Sequence, residues 1–233
     1  MKYLRPFFCY YGGKWRAAPR YPAPIHETII EPFAGAAGYS CRHYTKKVIL
    51  YDLDPLIAGL WHYLIHTPEE EILNLPTTIT HLDDMQLTQE QKWLIGFWVN
   101  KAGTTPKKSP SRWMRDGLAP NSWWGDAVKN RIATQLPYIR HWQIHNKPYH
   151  QSPNIEATWF IDPPYNNNAG NKYTCKFTDY PALTTFCQSR QGQTIVCEQA
   201  GATWLPFQEL GHFKSTEGAR GKARSAEAIW LNS

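Results

Sequence analysis

Residues 27–40 read ETIIEPFAGAAGYS and residues 46–54 read KKVILYDLD, and these two stretches decide the fold. In the first, the apolar run Thr28 to Ile30 leads into a turn built of Gly and Ala; in the second, an apolar run ends in acids. Short β-branched and aliphatic runs bounded by glycine or acidic residues read as buried strands, and the pair with the segment between them reads as a strand–turn–helix–strand unit. Beyond it, Leu56, Ile57, Leu60, Trp61, Leu64 and Ile65 recur at helical spacing. That pattern predicts a helix with Asp54 as its N-cap and Pro55 in its first turn.

The remaining segments extend the pattern. Thr88-x-x-Gln91 is a capping-box sequence that opens a helix over Gln89 to Lys101, followed by the Pro-, Ser- and Lys-rich stretch AGTTPKKSPSR. DAVKNRIATQL resumes a helical period, while HWQIH, ATWFI, QTIVCEQ and EAIWLN read as strands. Residues 67–125 differ in texture from their surroundings and read as an insert. The catalytic core is then 1–66 together with 126–233.

Composition narrows the class. The chain has 233 residues, 42% of them hydrophobic, enough for one substantial core. No apolar run reaches the roughly 20 residues of a membrane span. The start, MKYLRPFFCYYGGKW, lacks the apolar segment and cleavage site of a secretory signal, so the cytoplasm is the expected location. The five cysteines form no C-x-x-C pair, which argues for reduced thiols. His62 and His66 stand four apart without an acidic partner set, so no metal is expected. The formal charge is +6, and residues 101–150 alone carry nine basic and two acidic side chains. A solvated face and a polyanion-binding face both fit this charge; tryptophans 113, 123 and 124 inside the block favour a polyanion with stackable bases.

Two motifs carry chemistry. Small residues after a strand, as in EPFAGAAG, let backbone approach a ligand closely. Asp52 closes the following strand 21 residues after Glu31, where an acid accepts hydrogen bonds from the hydroxyls of a ribose. Together they imply an adenosine-containing cofactor. The second motif is FIDPPYNNN, residues 160–168, at the end of a buried strand. Proline removes a backbone donor and fixes φ, so the Pro163 carbonyl is left free beside the Asp162 carboxylate. An amine conjugated to an aromatic ring is a poor nucleophile. Two acceptors that each take one of its N–H bonds favour the pyramidal form in which the lone pair is available, and Tyr165 offers a face for the ring.

In these motifs the chain resembles the Dam-type adenine-N6 DNA methyltransferases. FFCYYGGK, EPFAGAAG, LYDLDPLI and DPPY match that family's N-terminal cofactor, glycine, ribose-acid and catalytic motifs in the same order. The resemblance implies a class I (Rossmann-like) α/β fold with a mixed, mostly parallel seven-stranded sheet and a small helical target-recognition insert at 67–125. It implies S-adenosylmethionine as cofactor, double-stranded DNA as partner, and a monomer or weak dimer. The catalytic set would be Asp162, Pro163, Pro164 and Tyr165. Tyr10 and Lys14 would lie by the methionine end of the cofactor or the target base, with Glu31, Phe33 and Gly35 lining the cofactor. Asp52 would hold the ribose, and Leu53 and Tyr149 would cover the two faces of the cofactor's adenine. Asp162 would also border the cofactor.

The sequence departs from the family at Ala36-Ala37, which replace a Gly-containing pair, and in the shortness of the insert. WVNKAGTTPKKSPSRWMRDG resembles the family's Asn-Arg-x-Gly segment, which makes Lys101, Lys107, Lys108, Arg112 and Arg115 candidate DNA contacts. Arg220, Lys222 and Arg224, in EGARGKARSAE, join them. The implied reaction is methylation of the exocyclic amine of a flipped-out adenine, in restriction-modification, phage regulation or mismatch marking. Adenine in RNA, a protein glutamine, and a silent DNA-binding module of the same fold are the alternatives. Glutamine methylases carry Asn and cytosine-N4 enzymes Ser where this chain has Asp162.

Overall fold

The computed structural model describes residues 2–101, 103–168, 170–214 and 224–232. Seven strands form one sheet: β1 (Thr28–Glu31), β2 (Lys47–Tyr51), β3 (Gln143–His145), β4 (Ala157–Ile161), β5 (Gly192–Gln199), β6 (Gln208–Lys214) and β7 (Arg224–Asn232). Their order is β3-β2-β1-β4-β5-β7-β6. All pairings from β3 through β5 are parallel, and β7 runs antiparallel between β5 and β6.

Alternation along each central strand sends side chains into two cores. Ile29, Val48, Leu50, Phe160 and Ile195 face one core, and Ile30, Ile49, Trp159, Ile161 and Val196 face the other. A sheet buried on both faces needs helices on both, and the chain supplies them. α1 (Pro55–His66), α3 (Gln89–Val99) and α5 (Asp126–Gln135) fill the first core, and α6 (Tyr180–Gln188) fills the second. The result is the seven-stranded, mostly parallel Rossmann-like arrangement of the class I methyltransferase fold.

The local signals for α1 and α3 are realised in the cap geometry. The Asp54 carboxylate accepts from the Leu56 amide at 2.9 Å, and Pro55 opens the helix. Thr88 and Gln91 exchange both capping-box bonds. α3 ends at Val99, two residues short of the expected Lys101.

Between β1 and β2, where a helix was expected, the chain makes successive turns and a single 3-10 turn, Ser40–Arg42. Gly35 and Ala37 both have φ of +45°, a left-handed conformation that interrupts right-handed winding. Only a few residues then remain before β2.

Residues 67–125 contain α2 (Glu69–Leu73), α3, α4 (Arg112–Arg115) and no strand among those described. α3 packs on α1 and α2 on α5, and Leu94, Ile95, Phe97, Trp98 and Val99 lie in the same core as the sheet.

The cap at Asp54 gives a direct check. Asp54→Ala removes the acceptor for Leu56 and is expected to lower unfolding stability by about 1 kcal/mol, read by chemical denaturation. An unchanged midpoint would show that the cap contributes nothing.

Candidate active site

In an open parallel sheet, adjacent strands whose connections run in opposite directions leave a crevice at their carboxyl ends. Here β1 lies between β2 and β4, so residues closing these three strands converge. Glu31, Asp52 and Asp162 line one cleft, together with the glycine turn and the N-terminal segment from Tyr10 to Lys14. Its enclosed part is a slot of about 70 Å³. A second cleft of about 720 Å³, in the range of small-molecule sites, shares the Tyr10–Lys14 wall.

The N-terminal segment reaches this position because small residues lie beneath it. A Cβ on Gly38 would stand 2.4 Å from the Trp15 nitrogen, so only glycine allows the contact. Lys14 is thereby buried, its ammonium 2.8 Å from Asp162 Oδ1 and 3.1 Å from the Gly12 carbonyl. It also sits 4.6 Å from the centre of the Tyr165 ring. The contact with Asp162 is close in distance but off the hydrogen-bonding directions, and Oδ1 has no hydrogen-bond partner among the described residues. The ion pair thus occupies an oxygen that is shielded from water, while Oδ2 accepts no hydrogen bond among the described residues.

Asp52 is held by two backbone amides, Gly35 N–H to Oδ2 and Asp54 N–H to Oδ1, each at 2.9 Å. A carboxylate offers about four lone-pair sites, so two amides leave room for further donors. Glu31, only 2% exposed, accepts from the Ser40 amide at 2.8 Å. The Tyr165 hydroxyl donates to Glu227, which also accepts from Ser225 at 2.8 Å, fixing the ring beside Lys14. The Tyr180 hydroxyl donates to the Pro164 carbonyl at 2.7 Å, and the Pro163 carbonyl accepts no bond among the described residues.

Burial governs the titration of these groups. It pushes the Glu31 carboxyl up to about 8 against the opposing bonds from Ser40. Burial also raises Asp52 to about 6, despite its two amide donors. Asp162 likewise rises to about 6, where burial, Glu227 and Glu198 together outweigh the lowering effect of Lys14. Burial alone would lower the Lys14 ammonium, but Asp162 and Glu227 more than compensate, and it stays charged.

Of the residues singled out in the sequence, Tyr10, Lys14, Glu31, Phe33, Gly35, Asp52, Asp162 and Pro164 line the first cleft. Tyr165 lines the second. Pro163, Leu53 and Tyr149 line neither: Pro163 is buried, Leu53 is 53% exposed, and Tyr149 stacks on Phe33 at 5.4 Å. Lys101 lines the second cleft, whereas Lys107, Lys108, Arg112 and Arg115 do not. Lys108 pairs with Asp83 at 2.6 Å, Arg112 with Asp116 at 3.3 Å, and Arg115 donates to the Pro110 carbonyl at 2.5 Å. Arg220 and Lys222 lie outside the described residues, and Arg224 opens β7.

Tyr173, Cys175 and Glu227 are residues of these clefts that no motif announced. They come from the loop after DPPY and from β7, and only the folded chain brings them in.

No family model matches the chain, and no curated protein matches it. Solved structures with a similar course include the "putative methylase HI0767 from Haemophilus influenzae", at 12% identity and TM-score 0.34, covering 88% of this chain and 78% of that one. Another is the "putative methyltransferase yhhF from Escherichia coli", at 8% identity and TM-score 0.35, covering 88% and 74%. A conserved hypothetical protein of Streptococcus pyogenes has 8% identity and TM-score 0.35, covering 88% and 86%. At these scores the functional argument rests on the residues of this chain alone.

The buried acid at position 31 makes a measurable demand on stability. Its folded value of about 8 lies above its ordinary 4.5, so folding favours the proton, and stability falls as pH rises through that window. Glu31→Gln keeps an acceptor for Ser40 without the charge. Urea unfolding from pH 5 to 8 is expected to show the variant gaining on the parent by up to about 1.4 kcal/mol per pH unit. A pH-independent difference would contradict the buried, raised carboxyl.

Proposed function

We propose that this chain transfers a methyl group from S-adenosylmethionine to the exocyclic amine of adenine in DNA. The observation that carries this reading is the acceptor pair at the end of β4. Asp162 is kept anionic beside Lys14, its Oδ2 and the Pro163 carbonyl accept no hydrogen bond among the described residues, and the Tyr165 ring is anchored next to them.

The first cleft fits the cofactor in three respects. Asp52 has lone pairs to spare for the ribose hydroxyls. Gly35, at φ +45° with a Tyr10 ring carbon 3.2 Å from where a Cβ would stand, keeps the backbone open to close approach. Acids outnumber cations along the walls, which suits a ligand carrying a sulfonium and an ammonium. When bound, S-adenosylmethionine supplies an electrophilic methyl group, so no metal is required for activation.

The chain's own residues then prepare the nucleophile. Each of the two amine N–H bonds is accepted, one by the Asp162 carboxylate and one by the Pro163 carbonyl, which turns the nitrogen lone pair out of conjugation with the ring. The Tyr165 face holds the flipped base. As the new N–C bond forms and the methyl leaves sulfur with its bonding pair staying behind, the nitrogen becomes cationic. One of its protons passes to Asp162 or to water. Lys14 holds Asp162 in the anionic state that this role requires. The choice of adenine rests on Asp162, in the position where the related enzymes for glutamine and cytosine carry Asn and Ser.

Expression of the parent and of Asp162→Ala in a methylation-free bacterium, with methyladenine mapped across the genome, tests this reading. Methyladenine is expected with the parent alone; its absence in both, or its presence in both, defeats the assignment. Asp162→Asn, which keeps shape but not charge, should lower kcat by about 10²–10³-fold with cofactor affinity retained.

A pH series separates the two acids. Asp162 accepts most strongly when ionised, so the single-turnover rate at saturating cofactor should fall about tenfold per pH unit on the acid side, with a midpoint below the ligand-free value of about 6, and level off above it. Cofactor affinity measured by calorimetry should weaken over the same range through Asp52. An acid limb of the same midpoint and depth in Asp162→Asn would remove Asp162 from the chemistry.

A further inference from the structure

The second cleft, of about 720 Å³, shares Lys14 and the Tyr10–Gly13 wall with the first, but its opposite end differs in charge. Arg5, Arg16, Lys101 and Arg131 line it. Among the described residues, none of these four forms an ion pair with a carboxylate. Arg131 is half-buried, and its Nε and Nη2 are shielded from water with no acceptor among the described residues.

Trp98 explains how such a cluster is held together. Arg131 stacks 4.9 Å and Lys101 5.3 Å from the Trp98 ring, and Lys101 also lies 4.6 Å from Trp123. Trp98 is itself pinned, its indole nitrogen donating to the Phe7 carbonyl at 2.8 Å. An aromatic face attracts cations without cancelling their charge, so both side chains are oriented and yet stay available to an anion. Cys9, in their midst, does not neutralise them, because burial pushes its thiol up to about 11. Mutual repulsion and unfilled guanidinium donors make the arrangement costly in isolation, and an oxyanion would relieve both costs.

We infer that this cleft seats a backbone phosphodiester of the nucleic-acid strand whose base enters at Tyr165. Arg131 and Lys101 form the inner half of the seat, with Arg5 and Arg16 at its exposed rim. The inference rests on the proposed function for the identity of the strand and adds the place where its backbone is held. The continuity of the cleft carries the connection. One cavity contains both the Tyr165 ring and the four cations, so a base at one end and its phosphate at the other share a single channel. Such contacts supply affinity and register rather than sequence choice.

The test is binding of a short fluorescent DNA duplex over a salt series, with cofactor binding measured in parallel by calorimetry. The variants are Arg131→Gln, Lys101→Gln and the surface substitution Arg16→Gln, which leaves the Trp98 stack intact. Each is expected to weaken the duplex several-fold or more and to flatten the slope of log K against log salt by about one, with cofactor affinity unchanged. Folded variants with parental affinity and slope would overturn the inference. Pyrophosphate at constant ionic strength distinguishes a free anion from a strand. Displacement of the duplex only at high millimolar concentration supports the phosphodiester, and micromolar displacement lost in Arg131→Gln overturns it in favour of a small anion. If the duplex responds as expected while S-adenosylmethionine does not bind, the phosphate seat stands and the methyl-transfer reading falls. If S-adenosylmethionine binds while the duplex ignores all three substitutions, the phosphate seat falls and methyl transfer stands.

Discussion

The 2.8 Å ion pair between Lys14 and Asp162 is the constraint around which both clefts are arranged. It joins the end of β4 to the described N-terminal segment before β1, which contributes no strand to the sheet. Removing two charges from water is expensive, and mutual attraction repays it only with close geometry and further partners. The Gly12 carbonyl and the Tyr165 ring provide those partners for Lys14, and Gly38 removes the side chain that would hold the segment away. Because Lys14 stands on the wall common to both clefts and Asp162 fixes it there, a change in the pair bears on both cavities. An apolar replacement of the same volume could hold the wall, but it would leave Asp162 without its charge and Tyr165 without the cation on its face.

The chain states its central unit plainly because each signal there is local. The apolar runs of β1, β2 and β4 are short, bounded and buried on both faces, and Asp54 and Thr88 cap helices within three residues of themselves. What the sequence obscures depends on distant contacts or unusual backbone. Two left-handed residues, Gly35 and Ala37, reduce the expected helix after β1 to one 3-10 turn. β6 escapes a pattern reading because a register shift between Glu209 and Gly211 breaks its alternation. α6 escapes because Thr184 and Thr185 lower its helical propensity, although Asp179 caps it at 3.0 Å.

The same distinction holds within the site. Asp52 and Asp162 could be singled out because each ends a strand, and the topology of an open sheet brings strand ends together. Glu227 could not, since it reaches Tyr165 from an antiparallel strand 62 residues later. The basic residues show the limit most clearly. Charge counted along the chain pointed to residues 101–150, yet Lys108 and Arg112 within that block are paired with neighbouring acids. The cations that meet in the cleft with no ion pair among the described residues are Arg5, Arg16, Lys101 and Arg131, drawn from three distant segments. Charge density in sequence records how many cations a segment has, whereas availability to an anion depends on which acids fold beside them.

The two clefts are opposite in sign, and that opposition has a chemical use. Glu31, Asp52 and Asp162 face the first cleft with Lys14 as the cation on its wall, while the second holds a surplus of cations. On the proposed function, the first favours a ligand with a positive sulfonium and loses part of that attraction once the methyl group has left and the sulfur is neutral. The second favours a polyanion and keeps it close until salt or diffusion releases it. Raised carboxyl values in the first cleft fit the same logic. Acids crowded together out of water hold protons too firmly when alone, and a cationic ligand lowers that tendency by stabilising their charged forms. Binding would therefore draw protons away from Asp52 and Asp162, so that the cofactor itself helps to set the anionic Asp162 that the amine requires.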